Sequence, residues 1–371
     1  MLVPLSRADE RSGAKAATLA RLAREGFRVP AGFVIDDALG DDSWVGELET
    51  ALRGLGSGAF AVRSSALVED GVRASFAGQL DTSLGATTAV RVAEEVRRIA
   101  ASGTSSRTVA YAARTGRSPR PVEPVIVQAL VRPQVAGVLF TRNPVTGTGQ
   151  VVIEAHPGLG EPVVGGSVTP QRWIVDGHRV APASNAVAQP VLTVTQVLAL
   201  AETGRRIEAS FGCPQDVEWA IAHGTVWVLQ ARPVTTSGAE PVAPSPNIAG
   251  AALLAGTPAG PGIAAGPVRV IGGLDDFARF RGGDVLVCRT TSPAWTPLLA
   301  RAAAVVTEIG GVLAHAAIVA REFGIPAVTA AADATAVLAD GVRVIVDGTN
   351  GTVTTERSGH SGHPEHTAEN T

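Results

Sequence analysis

Lysine is almost missing: of the 31 basic residues only Lys15 is a lysine, and all the others are arginine. Cysteine is nearly as scarce. Cys213 and Cys288 lie far apart and form no CxxC pair, which excludes a disulfide framework and a cysteine-built zinc site and suits two free thiols in a reducing cytoplasm. No run of about 18 apolar residues suggests a membrane span, and the opening MLVPLSRADERSG lacks the apolar centre of a signal peptide. An excess of one charge sign is also lacking: the formal net charge is -3, which gives no reason to expect nucleic-acid binding or a membrane surface. What remains is an ordinary globular composition, 45% hydrophobic and 18% charged, over a chain long enough for two or three domains with cores of their own.

The lone lysine carries information. A composition rich in Ala, Arg and Val turns lysine into arginine wherever either serves. A lysine that survives either marks a place where a compact ammonium is needed and a planar guanidinium does not fit, or survives by chance, and its context decides between the two.

Residues 13–22 place apolar side chains at helical spacing after a small turn, stop at Gly26, and lead into a strand entry at 29–35. The stretch 60–65 reads as a short buried strand ending in an arginine and two hydroxyls. Further β-rich runs fall at 125–128, 137–141, 150–153 and 226–229, and helical patterns at about 89–101 and 194–210. Strands and helices mix without strict alternation, which predicts an α+β chain rather than one doubly wound sheet. Residues 236–257 are rich in Pro, Ala, Gly and Ser and read as a flexible linker. The expected organisation is a first domain over 1–235, a linker over 236–257, a second compact domain over 258–356 with one clear helix from about His315 to Phe323, and a disordered tail over 357–371 carrying His360, His363 and His366.

The strongest local signal is TEIGGVLAHAAIVARE at 307–322. A β-run ends in a Gly-Gly turn, and a histidine then opens an alanine-rich helix. A helix N-terminus offers unpaired N–H groups to a phosphate on or beside that residue, and a neutral imidazole is a nucleophile able to become phosphohistidine. The glycines and small flanking residues predict an accessible His315 ring. In the first domain, Arg63 at a strand end suits a nucleotide phosphate, and Gln128 interrupts the apolar run VIVQALV. Glu218 and Gln230 lie on segments joined by the His223-Gly224 turn, so they should face each other across a hairpin. A carboxylate beside an amide oxygen is a hard-oxygen site for Mg²⁺ bridging nucleotide phosphates.

Several long blocks resemble the phosphoenolpyruvate synthase and pyruvate phosphate dikinase family, which includes the antibiotic-inactivating rifampin phosphotransferases. GAKAATLARLAREGFRVPAGFVI is similar to the family's opening ATP-site segment, and AVRSSALVEDGVRASFAGQLDTSLG to its phosphate-binding strand and loop. VIVQALVRPQVAGVLFTRNPVTG, IEAHPGLGEPVVGGSVTP and CPQDVEWAIAHGTVWVLQARPVT resemble its later ATP-grasp blocks. GDVLVCRTTSPAWTPLLARAAAVVTEIGGVLAHAAIVAREFGIPAV is similar to its swivelling phosphohistidine domain. The resemblance implies an ATP-grasp domain followed by a small mobile β/β/α domain. It makes Lys15 and Arg63 triphosphate ligands, places Thr82 and Arg232 near the phosphates and Gln128 near the adenine pocket, gives Glu218 and Gln230 the magnesium, and makes His315 the phosphorylated histidine. ATP would give its β-phosphoryl to that histidine, leaving AMP and phosphate.

There are departures from the family pattern. Leu313 and Ala314 stand where a threonine and a serine or cysteine usually precede the histidine, Ala14 replaces a glycine, and His156-Pro157 replaces an aromatic-glycine pair. The region between 35 and 60 is short, and neither a pyruvate-binding barrel nor a helical substrate domain is present in these residues. The leading expectation is an enzyme that charges His315 from ATP. It would pass the group to a small-molecule acceptor, pyruvate-like or a specialised metabolite, bound between the domains or held by a separate acceptor-binding subunit. A phosphocarrier or regulatory ATP sensor without its own substrate is the alternative, and a module that keeps ATP affinity but not transfer is a third.

Overall fold

The computed structural model describes residues 2–40, 42–56, 58–65, 82–102, 124–183, 189–234 and 252–356. Residues 66–81, most of the expected linker (236–251) and the tail with its histidines lie outside the described residues.

The first sheet is antiparallel and has the order β1-β2-β5-β3-β4: Leu2–Pro4, Gly32–Ile35, Val125–Ala129, Phe60–Ser64 and Thr82–Ala86. Its strands alternate with period two. Phe33, Ile35, Val62, Val125 and Val127 point to a core shared with the helices Val45–Gly54 and Ala89–Ser102. Val34 and Ile126 point the other way, onto Leu19 and Ala20 of the helix Ala14–Arg24. Both faces of this sheet are therefore covered by helices.

The second sheet is also antiparallel, in the order β11-β10-β6-β7-β8-β9. Its strands are Thr225–Pro233, Gln215–Ala222, Val135–Phe140, Val151–Pro157, Gln171–Asp176 and Arg179–Ala183. Leu139, Ile153, Trp173 and Trp219 pack on one face against Leu200 and Ile207 of the helix Val194–Phe211. That helix starts in a Thr193/Gln196 capping box and ends at Gly212 in the left-handed region, as its sequence signals imply. Val138, Phe140 and Val152 point to the opposite face, where they meet Val312, Leu313 and Ile318 from the C-terminal part of the chain.

The third sheet has eight strands in the order β12-β19-β18-β14-β15-β16-β17-β13: Leu254–Ala255, Thr352–Thr355, Arg343–Asp347, Ile263–Val270, Val285–Cys288, Ala304–Thr307, Ala327–Thr329 and Thr257–Gly260. Strands β14 to β17 pair in parallel, and the helix His315–Phe323 lies in the connection between β16 and β17. Parallel strands need such crossovers and read as continuous apolar runs, which explains VLVC and AVVT. The sheet begins at Leu254, inside the segment expected to be linker: a two-residue strand pairing with β19 carries no periodicity for a sequence pattern to reveal. The whole is an α+β multidomain chain. Cys213 and Cys288 are free thiols, and burial pushes the Cys288 thiol up to about 12, so it is chemically inert near neutrality. Among the described residues no helix is long and apolar enough to cross a membrane.

Candidate functional site

Lys15 enters first, in the opening turn of its helix. Gly13 precedes it with φ of 85°, and a Cβ there would lie 1.5 Å from the Ser65 carbonyl oxygen, so only glycine lets the helix start approach strand β3 this closely. Ser65 Oγ accepts from Ala16 N at 3.0 Å and donates to Ser12 O at 2.9 Å, which stitches the two elements together. Lys15 Nζ thereby reaches Ser64 Oγ at 3.3 Å. On the same strand Arg63 stands directly opposite Thr82, and Gln128 on β5 pairs with Ala61. The Gln128 amide is buried and donates to Pro30 O at 3.0 Å.

The second sheet supplies the facing wall. Glu218 and Gln230 are register partners across the β10/β11 hairpin. The turn at His223 and Gly224 has φ of 50° and 73°, the mirror-image geometry that suits a tight hairpin. A register shift between Glu218 and Trp219 re-aims the strand at this point. Two positions from Glu218, Asp216 lies opposite Arg232 and accepts from its Nε at 2.9 Å. Arg63 bridges the two sheets: Nη2 reaches Glu218 Oε2 at 2.5 Å and Nη1 donates to Leu229 O at 2.7 Å.

Charge in the cleft is arranged so that the two carboxylates differ. Burial pushes Glu218 up, but Arg63, Arg232 and Lys15 pull harder and hold it below the usual carboxylate range. Asp216 is raised by burial, against the pull of Arg232. Lys15, Arg63, Arg232 and Glu218 thus line the cleft, with Asp216 behind Arg232, which suits a polyanion arriving with a metal ion.

A cavity of about 440 Å³ lies between these walls, within the range of small-molecule sites. It is bordered by Lys15, Arg63, Thr82 and Gln128 from the first sheet, by Glu218, Gln230 and Arg232 from the second, and by His315 from the third. Every candidate site residue read from the sequence therefore borders one cavity.

His315 does not stand open as expected: it is 5% exposed. Thr291 Oγ1 lies 2.9 Å from its Nδ1 and Thr296 Oγ1 3.3 Å from its Nε2. The small neighbours that promised access instead allow the histidine-bearing unit to press against the second sheet through Val312, Leu313 and Ile318. Burial pushes the ring's pKa down to about 3, so the imidazole is neutral, the form required of a nucleophile. The folded value lies below that of an exposed ring, so the unfolded chain takes up this proton first, and stability should fall as pH drops from about 6.5 toward about 3. Thermal unfolding followed over that window should fall less steeply in His315→Asn than in wild type. Parallel curves would mean that the ring titrates as in water.

Asp216, Thr291 and Thr296 escaped the sequence reading. The alternation in Asp216-Val217-Glu218 held the signal for the first. The threonines lie within TTSPAWT, a block whose residue pattern gives no sign that its hydroxyls converge on a histidine.

The family described as pyruvate phosphate dikinase, AMP/ATP-binding domain, matches residues 43–188 and 178–250. The chain belongs to this family. A second family, described as the PEP-utilising enzyme mobile domain, matches residues 280–351, around His315. The chain is similar to a probable phosphoenolpyruvate synthase of Methanothermobacter thermautotrophicus, 39% identical over 318 residues that cover 79% of this chain and 46% of that protein. It is similar also to the phosphoenolpyruvate synthase of Pyrococcus furiosus, 38% identical over 330 residues that cover 79% of this chain and 40% of that protein. The chain thus spans less than half the length of these curated relatives. The dikinase family's ATP-binding domain is the part that contains Arg63, Thr82, Gln128, Glu218, Gln230 and Arg232, and the mobile-domain match contains His315.

Proposed function

We propose that the chain is an ATP-dependent phosphotransferase of the phosphoenolpyruvate synthase and dikinase type, which charges His315 from ATP and passes the group to a small-molecule acceptor. The observation that carries this reading is the shared cavity, in which cationic side chains, a carboxylate–amide pair and a neutral histidine meet. The triphosphate would lie against Lys15, Arg63, Thr82 and Arg232, with the adenine toward Gln128 and Leu130. An arriving triphosphate competes with Glu218 for the Arg63 guanidinium and so turns the carboxylate toward a cation.

Glu218 and Gln230 offer the hard oxygen donors that Mg²⁺ takes. Among the described residues no group of three or more His, Cys, Asp or Glu gathers as a metal site. Two protein donors suit an ion that completes its shell with phosphate oxygens and water, as magnesium in nucleotide sites does. Such an ion would neutralise charge developing on the transferring group.

In the proposed sequence a ring nitrogen of His315 attacks the β-phosphorus and AMP leaves. The resulting pyrophosphoryl-histidine loses its outer group to water as phosphate, and one phosphoryl remains on the ring. The names of the relatives support a pyruvate-like acceptor. A specialised metabolite, or a substrate held by a partner subunit, would use the same charged histidine. The free thiols suit the cytoplasm as the setting. Incubation with ATP labelled separately at the β and γ positions tests the reading. Label from the β position should appear on the protein and be lost in acid, with the γ label found in phosphate and AMP formed in equal amount. Protein that carries γ label without β label, or release of ADP in place of AMP, would refute it.

A further inference from the structure

We propose that Glu154 is a positioning residue, whose carboxylate holds the glycine turn leading into His315 and so sets the histidine's approach to the ATP cavity. The proposal rests on the phosphotransfer reading above and adds to it a residue that belongs to neither the nucleotide nor the metal set.

Glu154 lies within strand β7, opposite Val138 on one side and Arg172 on the other. It is 1% exposed. Its Oε1 accepts from Arg172 Nε at 3.0 Å and Nη2 at 2.7 Å, and also from the backbone N–H of Val312 at 3.0 Å. Val312 follows Gly310-Gly311 and precedes His315 by three residues. The other carboxylate oxygen, Oε2, is buried without a hydrogen-bond partner and lies against Gly311: a Cβ at that position would stand 2.3 Å from it and 2.6 Å from Oε1. A side chain at 311 would therefore force the turn and the carboxylate apart. The nearest atoms that such a Cβ would meet all belong to Glu154.

The seam continues on the other side of the turn. Thr290 Oγ1 donates to Gly166 O at 2.8 Å, and a Cβ on Gly166 would lie 2.8 Å from the Cβ of Ala314. With the chain held at Val312 and pressed at Ala314, the start of the His315 helix has a fixed direction relative to the second sheet. Arg172 already answers the charge of Glu154 within that sheet, and Val312 belongs to the apolar seam between the two units and to the core cluster of neither. The contact therefore serves docking rather than the fold of either unit.

Two variants of the full chain approach the contact from opposite sides. Glu154→Ala removes the acceptor, and Gly311→Ala forces the turn and the carboxylate apart. Both should raise hydrogen exchange at the Val312 amide by about tenfold or more, the effect of losing a bond to a charged acceptor. Both should also slow single-turnover labelling of His315 by about tenfold while leaving ATP affinity within about twofold. The double variant should be no slower than the slower single, because both act on one docked state. Glu154→Gln keeps an acceptor oxygen and should stay within about threefold of wild type. Unchanged exchange at Val312 in either single variant would overturn the proposal, as would faster exchange spread through strands β6 to β8, which would make Glu154 structural. A wild-type chain that takes up no phosphoryl group would end the phosphotransfer reading alone, and exchange at Val312 would still judge the docking contact.

Discussion

Replacing His315 by alanine is expected to reduce acid-labile phosphorylation of the chain to about 1% of wild type or less, because alanine offers no ring nitrogen to take the phosphoryl group. ATP affinity should stay within about twofold, since the proposed nucleotide contacts come from the first two sheets and the histidine from the third. The substitution also leaves the hydroxyls of Thr291 and Thr296 facing a space that the ring filled. His315→Asn controls for this, because it keeps a polar group for those hydroxyls and still lacks a nucleophile. The two variants should be equally silent in phosphorylation and equally able to bind ATP. Acid-labile label that persists on either one would move the nucleophile elsewhere. Loss of ATP binding in both would mean that docking of the histidine unit completes the nucleotide site.

Much of this site was legible in the sequence because its parts announce themselves locally. Lys15 stood out against an otherwise arginine-only composition, and it sits in the first turn of a helix that glycine brings against the Arg63 strand. Glu218 and Gln230 were legible as facing residues because one tight turn joins their strands, and the observed register pairs them directly. The helix His315–Phe323 was legible from the glycine turn and the alanine-rich run that follows.

What stayed hidden depends on contacts distant in sequence. The burial of His315 follows from the docking of its unit on the second sheet, and the hydrogen bond that marks this docking joins residues 158 positions apart. No local pattern around Val312 or Glu154 encodes that separation. The same holds for the parallel order of β14 to β17, where short apolar runs read as strands but carry no sign of which neighbour they take. Asp216 illustrates an intermediate case. Its place in the strand was as legible as that of Glu218, yet its pairing with Arg232 depended on the hairpin register.

Glu218→Gln should slow phosphorylation of His315 by about a hundredfold or more, since electrostatic stabilisation of the transferring phosphoryl supplies most of the catalysis in such reactions. The substitution keeps the shape of the side chain and removes one full negative charge, because Arg63 and its neighbours hold the carboxylate ionised. It should also raise the magnesium concentration needed for half-maximal rate, as the amide is a weaker ligand for a hard cation. ATP binding without magnesium should move the other way. Arg63 now divides its guanidinium between Glu218 and the Leu229 carbonyl, and once the carboxylate is gone its charge is left for the triphosphate. A slower rate together with unchanged or tighter metal-free binding therefore separates a metal ligand from a residue that merely tethers Arg63. A structural tether, once cut, would loosen Arg63 and weaken ATP binding with and without magnesium alike. Wild-type phosphorylation at low magnesium would remove Glu218 from the metal site altogether and leave Asp216 as the carboxylate to test next.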